Sequence, residues 1–248
     1  MPQEEIWSAE TRRLVGHRAR RRVDLARLPA ADVAAGRDAG LADRMGIVSI
    51  PQPSALHPDY PLRTRRLLLR PLAGDDIDAL LSYRSQPDVC RYVPLEPMTR
   101  DDIVGRLATV WANHELTDEG QALTLGVEVA ATGRLIGDVV LFWRSRTHRG
   151  GEIGYVVHPD SAGHGYATEA AYALLGLGFD QLGLHRIVAR IDERNEPSAR
   201  LARRLGMRQE ARLVRSELFK GEWSTELDFA MLADEWAAYR ESGTFVRP

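Results

Sequence analysis

Glycines punctuate the stretch Gly163-His164-Gly165-Tyr166-Ala167-Thr168, which joins a strand-like segment to a long apolar helical one. Such a turn offers consecutive backbone N–H groups beside a helix N-terminus, where partial positive charge collects, and suits a phosphate or pyrophosphate. Glycine serves there because an oxygen can approach the backbone with no Cβ in the way. Upstream, Glu152 sits inside the strand-like segment. A strand carboxylate can act as a general base or sit in an ordinary ion pair. Downstream, Asn195 precedes Pro197 and reads as the N-cap of a helix with proline in its first turn. His158 and His164 are expected to be exposed.

The elements that must position these residues are legible from Leu62 onward. Arg66–Leu72 reads as a strand stopped by Pro71, followed by a helix to about Tyr83 that Asp75 and Asp76 open. After a proline-punctuated loop over Gln86–Pro97, Thr99 with Asp102 three residues on resembles a capping box. Thr124–Val129 and Leu135–Trp143 flank a hairpin signal at Thr132–Arg134, and Gly150–Val157 is a further strand. A helix to about Leu182, a strand at Arg186–Ile191 and a helix at Pro197–Leu205 follow. Two last strands, Leu213–Phe219 and Leu227–Leu232, flank Lys220–Glu222. The order β-αα-βββ-α-β-α-ββ predicts a single α/β domain over 57–240, a mixed central sheet with helices on both faces. Residues 1–56, rich in Arg and Ala and closed by the breaker-rich Ile50–Asp59, read as a loosely ordered extension or as sequence upstream of a start at Met45.

Composition narrows the function. The net charge of −2 offers no basic patch for nucleic acid, and the single cysteine, Cys90, excludes an internal disulfide or a cysteine metal cluster. No apolar run is long enough to span a membrane and no signal-peptide core stands at the N-terminus, so a cytoplasmic protein is expected. Gly163-x-Gly165 could also start a dinucleotide fingerprint, with Asp192 as the ribose acid. Against that, Thr168 fills the position of the third small residue, Glu152 and glycines interrupt the preceding strand, and only about one βαβ unit follows.

Five motifs in order resemble the GCN5-related N-acetyltransferase (GNAT) superfamily, with the Rim-type ribosomal-protein N-terminal acetyltransferases as the nearest branch. They are T-R-R-L-L-L-R-P-L from Thr64, G-D-V-V-L-F from Gly137, E-I-G-Y-V-V from Glu152, G-H-G-Y-A-T-E-A from Gly163 and N-E-P-S-A-R-L-A-R-R-L-G-M from Asn195. The resemblance implies acetyl-CoA as co-substrate and transfer of its acetyl group to a primary amine. On that pattern the pyrophosphate rests on the amides of Gly163, His164, Gly165, Tyr166, Ala167 and Thr168, although Ala162 replaces the usual Gln or Arg. The pantetheine arm would add as a pseudo-strand beside Val156 and Val157, and Asn195 would touch the arm. A backbone N–H near Val157 would polarise the thioester carbonyl.

The family's usual acid, a tyrosine seven residues after the asparagine, is Ala202 here. The Rim-type pattern places the acid at Ser198, which also touches the cofactor, and the base at Glu217, with Glu152 in reserve. The acceptor, a protein N-terminus or a small-molecule amine, would be held by Tyr92–Thr99, the strand near Trp143 and the hairpin with Trp223. The resemblance implies no nucleic-acid or membrane partner and leaves a homodimer open. Because the tyrosine is missing, a non-catalytic acyl-CoA-binding regulatory domain is the alternative.

Overall fold

The computed structural model describes residues 53–242. The strands are β1 (Leu62–Arg63), β2 (Leu67–Pro71), β3 (Ala122–Val129), β4 (Arg134–Ser145), β5 (Gly150–Val157), β6 (Arg186–Asp192), β7 (Arg208–Phe219) and β8 (Glu222–Leu232). The helices are α1 (Ile77–Arg84), α2 (Pro87–Cys90), α3 (Arg100–Ala108), α4 (Tyr166–Gly176), α5 (Glu196–Arg204) and α6 (Ala233–Glu241). One mixed eight-stranded sheet runs in the order β1-β2-β3-β4-β5-β6-β8-β7. The expected frame is therefore present, with β1, the single-turn α2 and α6 added. None of the three carries a strong apolar period: β1 has two residues, and α6 buries only Trp236.

Strand alternation sends side chains to two faces. On one, Leu67 and Leu69 of β2, Leu123 and Leu125 of β3, and Val139, Leu141 and Trp143 of β4 pack with Ala170 and Leu174 of α4 and Ala199 and Ala202 of α5. On the other, Leu72 and Leu135 pack with Leu80 and Tyr83 of α1 and Ile103 of α3. Helices thus cover both faces, as the sequence predicts. A buried ion pair adds to the second contact: Arg84 of α1 meets Asp138 of β4, and the Tyr83 hydroxyl donates to Asp138 Oδ2 at 2.6 Å. The last hairpin turns on Lys220 (φ 49°) and Gly221 (φ 84°), two left-handed residues whose twist matches the flanking strands.

The core begins before the expected domain start. Leu56 is buried and pairs by backbone with Leu116, so residues 53–56 are part of the packed unit. The remainder of the expected extension lies outside the described residues. No helix among the described residues is long and apolar enough to cross a membrane.

One break in the sheet creates the site. β5 and β6 are parallel neighbours joined through α4, yet they pair only from Gly150–Glu152 to Arg186–Val188. Past that point β5 holds only to β4, through Gly137↔Val157, and β6 only to β8, through Asp192↔Glu226. A gap opens between the two strands, with backbone donors and acceptors along its sides.

Candidate active site

At the C-terminal end of β5 the chain makes one short helical turn and enters the glycine stretch. Gly163 (φ 80°) and Gly165 (φ 77°) are left-handed, a conformation that strains any residue with a Cβ. Gly165 is the N-cap of α4, and no side chain caps that helix. The first amides of a helix have no intrahelical acceptor, so those of Tyr166, Ala167 and Thr168 point out of the helix end. Thr168 itself is buried.

A network from the segment between β1 and β2 braces the turn. Glu169, only 4% exposed, accepts from Thr64 Oγ1 at 2.6 Å, from the Arg66 amide at 2.8 Å and from Arg66 Nε at 2.7 Å. Arg66 Nη1 donates to His164 O at 3.0 Å, and its guanidinium lies 4.6 Å from the centre of the Tyr166 ring. Burial works against the Glu169 charge, but the Thr64 and Arg66 donors outweigh it and hold its pKa below the usual carboxylate range. His164 is exposed, as expected. His158 is buried instead, because Nδ1 accepts from the Asp160 amide at 3.1 Å and its ring packs edge-on near Tyr83.

On the far side of the gap, Asn195 caps α5, its Oδ1 accepting from the Ser198 amide at 3.3 Å. Ser198 is half-buried in the first turn, and the Tyr155 hydroxyl of β5 donates to its carbonyl at 3.2 Å. Burial pushes the Tyr155 phenol up to about 12, against smaller pulls from Ser198 and Arg204, so it stays protonated at neutral pH. Sequence reasoning missed Tyr155, although it lies inside the quoted E-I-G-Y motif. Ala202 is fully buried one turn on and brings no hydroxyl.

The carboxylates separate into two groups. Glu152 is paired with Arg144 (Nε to Oε2, 3.0 Å), with Arg190 at 4.0 Å, which is the ordinary ion pair. Glu217 is half-buried on β7 opposite Ser224 of β8, close to Glu226.

A cavity of about 520 Å³ lies against Tyr92 and Pro97 of the α2–α3 connection, Arg194 beside Asn195, and Phe219, Lys220 and Glu222 of the hairpin tip. Lys220 Nζ donates to Cys90 O at 2.8 Å and Leu95 O at 2.7 Å, and Arg194 binds Asp192 and Glu222. The cavity therefore has the expected walls in Tyr92–Pro97 and the last hairpin. It excludes Trp143, whose position on β4 faces α4 and the main core, and Trp223, which is exposed on β8.

Residues 66–208 match the family model described as an acetyltransferase (GNAT) domain. The chain is 33% identical over 175 residues to YnaD, an uncharacterized N-acetyltransferase of Bacillus subtilis (strain 168), over 71% of this chain and 98% of that protein. It is 25% identical over 182 residues to the spermidine N(1)-acetyltransferase of Escherichia coli (strain K12), over 73% of this chain and 94% of the relative. The solved structure of a GNAT-family acetyltransferase from Bacillus anthracis superposes with a TM-score of 0.63 at 32% identity, over 70% of this chain and 99% of the other.

Proposed function

We propose, from the premise that this chain belongs to the GNAT acetyltransferase family, that it acetylates a primary amine held in the cavity between the α2–α3 connection and the β7–β8 hairpin. As a member of that family it is an acyl-CoA N-acyltransferase that uses acetyl-CoA. The observation that carries the reading is the gap between β5 and β6 running into an amide-lined, left-handed glycine turn. A linear thioester with a pyrophosphate at one end fits that pair of features. Open strand edges accept an amide-bearing arm by backbone pairing, and the helix end accepts the phosphates.

Acetyl-CoA supplies an activated acyl group. The residues of the chain then hold and move protons. The amides of Gly163 through Thr168 orient the pyrophosphate, with Arg66 and Glu169 keeping the turn in shape. Val156 and Val157 and the cap residue Asn195 line the arm. Ser198, beside Tyr155, protonates the departing sulfur, and the carboxylates of the last hairpin, Glu217 among them, receive the ammonium proton. The Rim-type likeness is carried by Ser198 and Glu217 and favours a protein N-terminus. The relative named for spermidine favours a polyamine. The non-catalytic alternative rests on the buried Ala202.

Thiol release from acetyl-CoA across a panel of N-terminal peptides, polyamines and aminoglycosides tests the proposal, and one productive acceptor is expected. Acetyl-CoA should raise the melting temperature while NAD does not. Gly165→Val should remove that rise, because a β-branched residue resists φ 77°. A full thermal shift in Gly165→Val sinks the assignment of the turn. Binding without thiol release from any amine supports the regulatory alternative.

A further inference from the structure

Two walls of the cavity have little regular structure to hold them. The α2–α3 connection over 91–99 contains neither helix nor strand. Opposite it stands the tip of the β7–β8 hairpin. Its outer strand, β7, is last in the sheet order, and the β7–β8 register shifts between Leu213 and Glu217, just before the tip. No strand pairing among the described residues joins the two walls, so side chains set the distance between them.

Lys220, the only lysine in the chain, spans that distance. An ammonium carries three N–H donors. Two go to main-chain carbonyls of the facing wall, Cys90 O at 2.8 Å and Leu95 O at 2.7 Å, and Glu96 Oε1 lies 3.5 Å away. On its own side of the cavity Nζ lies 5.8 Å from the centre of the Phe219 ring. Arg194 makes a second tie: Nη1 donates to Glu222 Oε2 at 2.8 Å, and the guanidinium sits 5.7 Å from the centre of the Tyr92 ring. That tie reaches the connection through a ring face only. Among the described residues, the hydrogen bonds that cross directly from tip to connection are the two from Lys220. Bonds from a cation are stronger than neutral ones, which suits a latch between two irregular segments.

We infer that Lys220 is a positioning residue that fixes the width of the acceptor cavity, acting through the main chain at Cys90 and Leu95 and not on the reacting atoms. This rests on the amine-acetylation reading above. The features assigned to acetyl-CoA, the β5–β6 gap and the glycine turn, are built from other residues. Loss of the latch therefore falls on the acceptor and spares the acyl donor.

Lys220→Met and Lys220→Arg in the full chain test this, by amide hydrogen exchange and by steady-state kinetics with the acceptor found in the amine panel. Methionine keeps an unbranched apolar stem and removes the donors. A hydrogen bond to a charged group shifts an equilibrium by roughly ten- to a hundredfold. In Lys220→Met the amides of 91–98 and 218–223 should exchange faster by about that factor. Those of α4, and the acetyl-CoA thermal shift, should stay at wild type. Acceptor KM should rise by roughly ten- to a hundredfold with kcat little changed, the pattern of lost binding rather than lost chemistry. Lys220→Arg keeps the charge and has donors enough for both carbonyls, so it should recover most of both effects.

Unchanged exchange in Lys220→Met overturns the latch. Faster exchange with an unchanged acceptor KM overturns its link to the acceptor. A Lys220→Arg protein as impaired as Lys220→Met rejects the donors as the cause. Failure of the wild type to acetylate any amine rejects the function and the acceptor role with it, and hydrogen exchange still decides the latch by itself.

Discussion

Ser198 and Tyr155 join a packing contact to the proposed chemistry. Tyr155 crosses from β5 to the first turn of α5 and donates to the Ser198 carbonyl. The capping bond from the Ser198 amide to Asn195 fixes the same turn, so the serine hydroxyl is held on a rigid element. Ser198→Ala removes the proposed proton donor and little else. It should slow the acyl-transfer step while leaving the acetyl-CoA thermal shift in place, with a loss below about 10² because water can deliver a proton. Single-turnover kinetics checks this, and an unchanged chemical step moves the acid to Tyr155 or solvent.

Among elements, the glycine turn depends on a strand far away in sequence. Arg66, just before β2, holds His164 O and stacks on Tyr166, and Glu169 holds Arg66. Since the folded state depresses the Glu169 pKa, its contribution is fully present above the ordinary carboxylate value. That contribution is lost as pH falls through the lowered one. Glu169→Gln should lower stability by about 1–3 kcal/mol near neutrality. It should flatten the acid side of the stability curve in urea titrations at several pH values. Affinity for acetyl-CoA should fall with it, because the turn loses its brace. A Glu169→Gln protein with unaltered stability and affinity would remove Glu169 from the site's support.

At the scale of the whole molecule, residues 53–242 belong to one packed unit. Leu56 is in its core, and Arg146 Nη1 donates to Pro53 O at 3.2 Å. Removal of residues 1–49 should leave the melting temperature and acetyl-CoA binding unchanged. Removal of residues 1–60 strips Leu56 and its pairing with Leu116, and should cost about 2–5 kcal/mol, the range for losing a buried leucine side chain. Thermal melts of the two truncations compare these directly, and equal losses in both would show that residues 1–49 support the fold.

Local chemistry made much of this legible in the sequence. Glycines before an apolar helix, proline after an asparagine cap and period-two apolar stretches are short-range signals, and they located the glycine turn, the α5 cap and most strands. Edge strand β7 extends beyond its expected start because Arg208–Arg212 shows no alternation to read where neither face is buried. The gap could not be read at all. It exists because β5 and β6 part after Glu152, a fact about pairing between strands separated by a whole helix. The order β6-β8-β7 likewise reverses the chain order of the last two strands. The bonds from Lys220 to Cys90 O and Leu95 O span 130 and 125 residues, so what ties the cavity walls together is a property of the assembled molecule, not of any segment of the chain.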